Sequence, residues 1–240
     1  MKRIRLFVNV PVCPGEEITI GDSQAHYLQH VMRLESGAEL IIFNGRGGEY
    51  RAEIIRMGRH DVSCNVLEFN DVDRELQIGV HIVQAACRNE KIETVLQRGT
   101  ELGATSFQIV VSRRSDLKLE NRKLLSRLKR WQKIVIEAAE QCGRTQIPDI
   151  RWRDSLEEIE IYGAAYCLHP EGGVSWAEVR DKVCKARELI FAAGPEGGWD
   201  ASDLGILERK GFLALRFGSR TLRTQTAAPA LLSAVQAVLD

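Results

Sequence analysis

The chain has no excess of either charge: 33 lysines and arginines stand against 33 aspartates and glutamates, for a net charge of +0 at pH 7. Any nucleic-acid surface must therefore be a local patch and not a property of the whole molecule. None of the six cysteines (Cys13, Cys64, Cys87, Cys142, Cys167, Cys184) belongs to a CxxC pair, and they lie far apart. That pattern argues against a zinc site or a disulfide framework and predicts reduced thiols, several of them buried in apolar runs. His26 and His30 are spaced i, i+4, but no glutamate follows His26 and no third ligand is nearby, so no metal is expected. Nowhere do 18 apolar residues follow one another, and the run Ile4 to Val8 is too short for a signal peptide. A soluble, unprocessed, cytoplasmic protein with no membrane contact is expected. The nucleotide signatures GxGxxG and GxxxxGK[ST] are missing too, which disfavours a dinucleotide or a magnesium triphosphate as ligand.

With 240 residues, 44% of them hydrophobic and 28% charged, the composition is that of an ordinary globular protein, long enough for two modest domains. The first part is rich in short alternating or apolar segments, Ile4 to Val10, Glu39 to Asn44, Glu49 to Arg56 and Asp61 to Phe69, which predict strands. Gly45-Arg46-Gly47-Gly48 joins two of them without opening a helix and reads as a hairpin turn. One helix is expected from Ser23 to Arg33, with His26, Leu28 and Val31 roughly on one face. The charged stretch Asp71 to Glu75 marks a change of pattern, giving a small β domain over residues 1–72 and a second domain over 73–240. In the second, strands expected at Ile78 to Ala86, Phe107 to Val111, Ala164 to Leu168, Leu189 to Ala193 and Phe212 to Leu215 alternate with helices. The helices are expected at Glu90 to Leu102, about Glu120 to Cys142, Trp176 to Ala186 and Gln225 to Leu239, the last capped by Thr224. Alternation of this kind predicts an α/β fold with a largely parallel sheet.

Positive charge is gathered in two places. From Arg113 to Lys133 nine basic residues (Arg113, Arg114, Lys118, Arg122, Lys123, Arg127, Lys129, Arg130, Lys133) face two acidic ones, Asp116 and Glu120. A second group is Arg209, Lys210, Arg216, Arg220 and Arg223. Most charge runs are solvated helix faces, but two basic clusters in a neutral protein point to phosphate contacts with RNA or DNA.

The chemistry concentrates in the last third. Gly194-Pro195-Glu196-Gly197-Gly198-Trp199 and Phe217-Gly218-Ser219-Arg220-Thr221-Leu222-Arg223-Thr224 each follow a short apolar run and lead into a helix. Pro170-Glu171-Gly172-Gly173 repeats the Pro-Glu-Gly-Gly string after another strand. Such turns lie at the carboxyl edge of a parallel sheet, where ligands bind. Glycines allow close backbone approach, and an uncharged adenosine moiety suits such a backbone-lined edge better than a triphosphate does.

These strings resemble the RsmE family, the 16S ribosomal RNA uracil-N3 methyltransferases of the SPOUT superfamily. The resemblance is carried by Gly194 to Gly198 and by Phe217 to Ala228, with support from Thr100 to Ala104, Glu140 to Arg144, Arg5 to Phe7, His26 to Leu28 and Asn44 to Gly47, and it spans essentially the whole chain. It implies a PUA-like, RNA-binding β-barrel followed by a SPOUT domain with a carboxyl-terminal trefoil knot, acting as a homodimer on one uridine of 16S ribosomal RNA in the small subunit. S-adenosylmethionine would be held by Leu168, His169, Pro170, Gly194, Pro195, Glu196, Gly197, Gly198, Leu215, Phe217, Gly218, Leu222, Arg223 and Thr224. RNA would be met by Arg5, Arg33, Arg46, Arg113, Arg114 and Arg220, and no metal is implied.

The chain departs from the family in one place: Gln225 stands where the Leu-Arg-Thr-Glu-Thr string has a glutamate, and an amide cannot act as a carboxylate base. Either that glutamate is structural, capping or pairing locally, which is the favoured reading, or this enzyme is slower or uses another base. Arg144 and Arg223 are the candidates for stabilising a uridinate anion without a conventional base, each with phosphate contact or pairing with Glu196 as the alternative. Methylation of another RNA atom, or RNA binding without catalysis, are the competing functions.

Overall fold

The computed structural model describes residues 4–117 and 121–239. Lys118, and Glu120 as the expected start of the long helix, lie outside the described residues. Two compact units emerge. One takes the chain as far as Glu75 and adds Ala139–Ile147; the other comprises Leu76–Ala138 and the chain from Pro148 onward.

In the first unit, strands β1 (Arg5–Phe7), β2 (Glu17–Gly21), β3 (Glu39–Phe43), β4 (Glu49–Met57) and β5 (Asp61–Asn70) form one sheet in the order β1-β3-β4-β5-β2. All neighbours are antiparallel except β1 and β3. Two register shifts between β4 and β5 curl the sheet, since a bulge adds bend and twist. Alternation puts Ile18, Ile20, Leu40, Ile42, Ala52, Ile54, Val62, Cys64 and Val66 into a single core, closed by Leu6, Ala25 and Leu28. The Asn44 to Gly48 segment is the hairpin between β3 and β4, as its glycines predict.

The expected helix from Ser23 to Arg33 is not uniform. A short α1 (Asp22–His26) passes into a π-helix, Tyr27–Val31. Ala25 and Leu28 form the buried face, whereas Val31 is 61% exposed and His26 is also exposed, so the predicted face of His26, Leu28 and Val31 is corrected. The extra residue in the π turn shifts every later side chain round the axis, which a period of 3.6 cannot foresee.

The Ala139–Ile147 segment is fastened to this unit by buried charge. Glu49 accepts from both Arg5 and Arg74, Arg74 also donates to the Gly143 carbonyl at 2.8 Å, and Arg5 donates to the Arg144 carbonyl at 2.8 Å. Burial raises the Glu49 carboxyl, but Arg74 and Arg5 outweigh it and hold the group below its ordinary value. Glu75 takes the Arg144 guanidinium, with Nε at 2.9 Å.

The second unit holds seven strands, β6 (Gly79–Ala85), β7 (Ser106–Val110), β8 (Asp149–Arg153), β9 (Ala164–Leu168), β10 (Val174–Ser175), β11 (Glu188–Ala193) and β12 (Leu213–Arg216). They are all parallel, in the order β10-β12-β9-β11-β6-β7-β8. The helices are α2 (Asn89–Glu101), α3 (Asn121–Cys142), α4 (Trp176–Val183), α5 (Ala201–Arg209) and α6 (Thr224–Leu239). Continuous apolar runs such as those of β6 and β11 are buried on both faces of the sheet, as parallel topology requires. The long helix buries Trp131, Val135, Ala138 and Ala139. Cys64, Cys87 and Cys167 are buried, and burial pushes their thiols up to about 12, 12 and 11; Cys13 and Cys184 are exposed instead. Among the described residues no helix is long and apolar enough to cross a membrane.

Candidate active site

Three neighbouring strands, β12, β9 and β11, end at one edge of the sheet, and the loops that leave their carboxyl ends line a cleft of about 500 Å³ in the second unit. The loop after β9 brings Leu168, His169 and Pro170, with Glu171; the loop after β11 brings Gly194 to Gly198 and Trp199; the loop after β12 brings Phe217 and Arg220 to Thr224, with Leu215 from the strand itself. Of the expected cofactor residues only Gly218 is absent from the lining, although its φ of 75° makes the bend in that loop. Phe217 meets the Trp176 ring edge-on at 5.6 Å, which fixes the loop against the start of α4.

The loops are held by polar contacts that the sequence did not announce. Thr224 does not cap α6 with its side chain. It is the first residue of that helix, and its hydroxyl donates to the Gly194 carbonyl at 2.6 Å while accepting from the buried Gln84 amide at 2.8 Å. One hydroxyl thus ties the start of α6 to the turn after β11 and to the central strand β6. The main-chain N–H of His169 donates to the Leu215 carbonyl at 3.0 Å, joining the other two loops.

Glu196 was expected as a possible partner of Arg144 or Arg223; it pairs instead with Lys91 at 3.1 Å and accepts from the Arg88 amide at 3.4 Å. Arg88 is the N-cap of α2, so the carboxylate sits at a helix amino terminus. Burial raises this carboxyl, but backbone amides and Lys91 together bring it below its ordinary value. Lys91 also lines the cleft, and nothing in its helical sequence context marked it out.

The expected arginines separate into distinct groups. Arg223, Arg220 and Arg114 line the cleft, and Arg114 donates to the Gly197 carbonyl at 2.8 Å. Arg113 is exposed while its main-chain N–H donates to the buried Asp203 carboxylate at 3.2 Å. Arg33 and Arg46 are exposed in the first unit. Two of the expected arginines are held in buried ion pairs. Arg5, expected to meet phosphate, is buried against Glu49 with its guanidinium 4.9 Å from the centre of the Phe43 ring. Arg144, expected beside the reacting base, is buried in its pair with Glu75 and is not among the residues lining the cleft. The basic clusters are also partly neutralised: Arg130 pairs with Glu93, Lys133 with Glu137 and Arg209 with Glu157, while Lys210 donates to the Glu157 main-chain carbonyl.

Two buried polar atoms in and beside the cleft have no hydrogen-bond partner: the indole N–H of Trp199, a residue 7% exposed, and the side-chain oxygen of Gln225. A buried donor left unmade costs about 1–3 kcal/mol; Trp199 itself packs in the hydrophobic core cluster behind the cleft wall.

Residues 74–236 match the family described as RNA methyltransferase domain, and residues 20–67 the one described as RNA methyltransferase PUA domain. The chain is 30% identical over 226 residues to ribosomal RNA small subunit methyltransferase E of Bacillus subtilis, covering 90% of this chain and 88% of that one. Among solved structures it is similar to a putative methyltransferase of Legionella pneumophila in complex with S-adenosylmethionine, with a TM-score of 0.92, 31% identity and coverage of 99% and 98% of the two chains. It is also similar to the Neisseria gonorrhoeae ribosomal RNA small subunit methyltransferase E bound to S-adenosylmethionine, with a TM-score of 0.90, 25% identity and coverage of 99% and 98%.

Proposed function

Since the chain belongs to the ribosomal RNA small subunit methyltransferase E family, we propose that it methylates N3 of one uridine in 16S ribosomal RNA with S-adenosylmethionine as methyl donor. The observation that carries this reading is the convergence of three strand-end loops on one cleft with Arg223 in its wall. The volume suits a ligand of nucleoside size. The lining fits an adenosyl group: it is rich in glycine and main chain and belongs to no P-loop that would hold a triphosphate.

Held there, the cofactor supplies an electrophilic methyl on a positively charged sulfur. The loops of β9, β11 and β12 would grip it, and their mutual hydrogen bonds through Thr224 and Leu215 keep that grip preformed. What the protein must still provide is an N3 atom without its proton, which free uridine loses only in alkali. Gln225 cannot take that proton. The Arg223 guanidinium, exposed in the cleft wall, can stabilise the uridinate anion and so make the proton easier to lose to solvent. Arg220 and Arg114 at the same wall are placed for the phosphates that flank the base.

The proposal includes the family architecture: a PUA-like barrel for the curled sheet, a knotted carboxyl terminus and a homodimer. Support for the threading comes from the sheet order, in which β11 lies between the earlier strands β9 and β6. Mass spectrometry of 16S ribosomal RNA nucleosides from a strain lacking the gene tests the reaction. Loss of 3-methyluridine is expected, restored by the wild-type gene and not by Arg223→Ala, whose turnover should fall about 100-fold. Loss of a ribose methylation instead, or no binding of S-adenosylmethionine by calorimetry, would refute the reading.

A further inference from the structure

Two carboxylates are buried among the described residues, Glu49 and Asp203, and they are held in opposite ways. Glu49 accepts from two arginines. Asp203, 4% exposed in the first turn of α5, takes main-chain N–H groups instead. Its Oδ2 accepts from the Asp200 N–H at 3.1 Å, the reciprocal half of the capping box that starts the helix. Capping explains that bond and no more. The carboxylate also reaches the main-chain N–H of Arg113, 90 residues away along the chain, with Oδ1 at 3.2 Å and Oδ2 at 3.3 Å. A carboxylate withdrawn from water costs free energy, which charge-assisted bonds to the main chain offset.

What Asp203 grips is the turn that leaves the carboxyl end of β7. Ser112 and Ser115, each 8% exposed, close it. The Ser115 N–H donates to the Ser112 carbonyl at 3.1 Å, the Ser112 N–H to the Ser115 hydroxyl at 3.0 Å, and the two hydroxyls meet at 2.9 Å. The Val111 N–H donates to the Arg153 carbonyl at 3.0 Å, which fixes the entry to the turn. Arg113 and Arg114 are its two central residues, so the bond from Asp203 to Arg113 sets where the next side chain starts. Arg114 crosses to the turn after β11, where Nη1 donates to the Gly197 carbonyl at 2.8 Å and Nη2 lies 3.4 Å from the Asp200 carboxylate. Its Cδ is 3.4 Å from where a Gly197 Cβ would stand, so the stem lies along the glycine. The side chain is still 51% exposed, and a guanidinium has more N–H donors than these two bonds use. A long side chain that is already anchored loses less freedom when it meets a phosphate, and so binds it more tightly.

We propose that Asp203 is a positioning residue for the methyl-transfer reaction: by pinning the turn after β7 it keeps the Arg114 guanidinium seated on the Gly197 carbonyl, where its remaining N–H groups take a phosphate of the RNA. The inference rests on the reading of the protein as an RNA methyltransferase with Arg114 at a phosphate, and adds the buried group on which that contact depends. It makes the turn after β7 a fourth loop of the site, although Asp203 is not among the residues lining the cleft.

The test is a double-mutant cycle on the full-length protein. Asp203→Asn, Arg114→Ala and the double variant are compared in binding of a fluorescein-labelled single-stranded RNA dodecamer and in methyl transfer to small ribosomal subunits. The amide keeps the size of the side chain but has one acceptor oxygen, and its NH2 faces an N–H donor. Asp203→Asn should weaken RNA binding and raise the KM for subunits about tenfold with kcat within about twofold, and the slope of log affinity against log salt should shrink by about one contact. In the Arg114→Ala background the same substitution should add less than about twofold, because its effect passes through the guanidinium. Ser115→Ala, which loosens the turn without touching α5, should raise KM about threefold and lose its effect in that background. Effects that multiply in the double variant, or a fall in kcat at unchanged KM, would make Asp203 a structural residue only and overturn the proposal. So would unchanged RNA binding in both Asp203→Asn and Ser115→Ala. Should Asp203→Asn fail to fold by circular dichroism, Ser115→Ala decides alone. A wild type that binds the dodecamer but methylates no subunit sinks the functional reading alone, since the binding cycle still decides Asp203.

Discussion

The string Pro-Glu-Gly-Gly follows two strands that lie side by side, β9 and β11, and its residues serve different ends in the two places. After β9, Glu171 is exposed, and Gly173 lies so close to β12 that a Cβ would overlap the Ala214 carbonyl. After β11, Gly198 has open space around its missing Cβ and is needed only for its φ of +69°. There it is the glutamate that matters, tying the turn to Lys91 and the start of α2. The same four residues are a packing device in one loop and an electrostatic clasp in the other. Turn chemistry alone predicts that both bend; what each bend touches decides the rest.

Substitutions that separate the two turns test this contrast. Gly173→Ala should be the most damaging, because the Ala214 backbone cannot retreat without breaking the pairing of β10 with β12, and φ is +81° as well. A loss of about 3 kcal/mol or more, and a fall in Tm of roughly 6 °C or more, is expected in thermal denaturation. Gly198→Ala meets only the left-handed strain, about 1–2 kcal/mol. Equal damage from the two alanines would erase the distinction.

Smaller effects fall on the glutamates. Glu196→Gln should cost up to about 1 kcal/mol, the scale of a partly exposed ion pair, and weaken S-adenosylmethionine binding measured by calorimetry. Because this carboxyl lies below its ordinary 4.5 in the folded protein, its contribution is present above that value and disappears as pH falls through the lower folded one. The gap in Tm between wild type and Glu196→Gln should therefore close on acidification and be widest near neutrality. Glu171→Gln should shift stability by no more than about 0.5 kcal/mol at any pH. A Glu171 effect equal to that of Glu196 would make the clasp a general property of the string.

Much of the fold was legible because the buried strands advertise themselves. The apolar runs of β6, β9 and β11 and the alternation of β3 to β5 need no tertiary information. Three strands were not foreseen, β2, β8 and the two-residue β10 at one edge of the seven-stranded sheet. In β8, Asp149, Arg151 and Arg153 at an edge of the sheet read as polar loop, and β2 is a five-residue segment on the sheet's other edge in the first unit. Edge strands lack the double-sided burial that writes a run of apolar residues. In the cleft, glycine and proline marked the loops, whereas Lys91 in its lining and Gln84 behind Thr224 looked like ordinary helix and strand residues.

By itself the sequence determined the alternation of strand and helix, the three glycine turns and the family string, because hydrophobic period and backbone permission are local properties. Only the tertiary structure decided which cations are free. It buried Arg5 and Arg144 against Glu49 and Glu75, left Arg223 in the cleft wall, and set Arg33 at the end of a π turn. Charge is a property of a residue, but its availability depends on which carboxylates the fold brings within reach, and those partners lie tens of residues away along the chain.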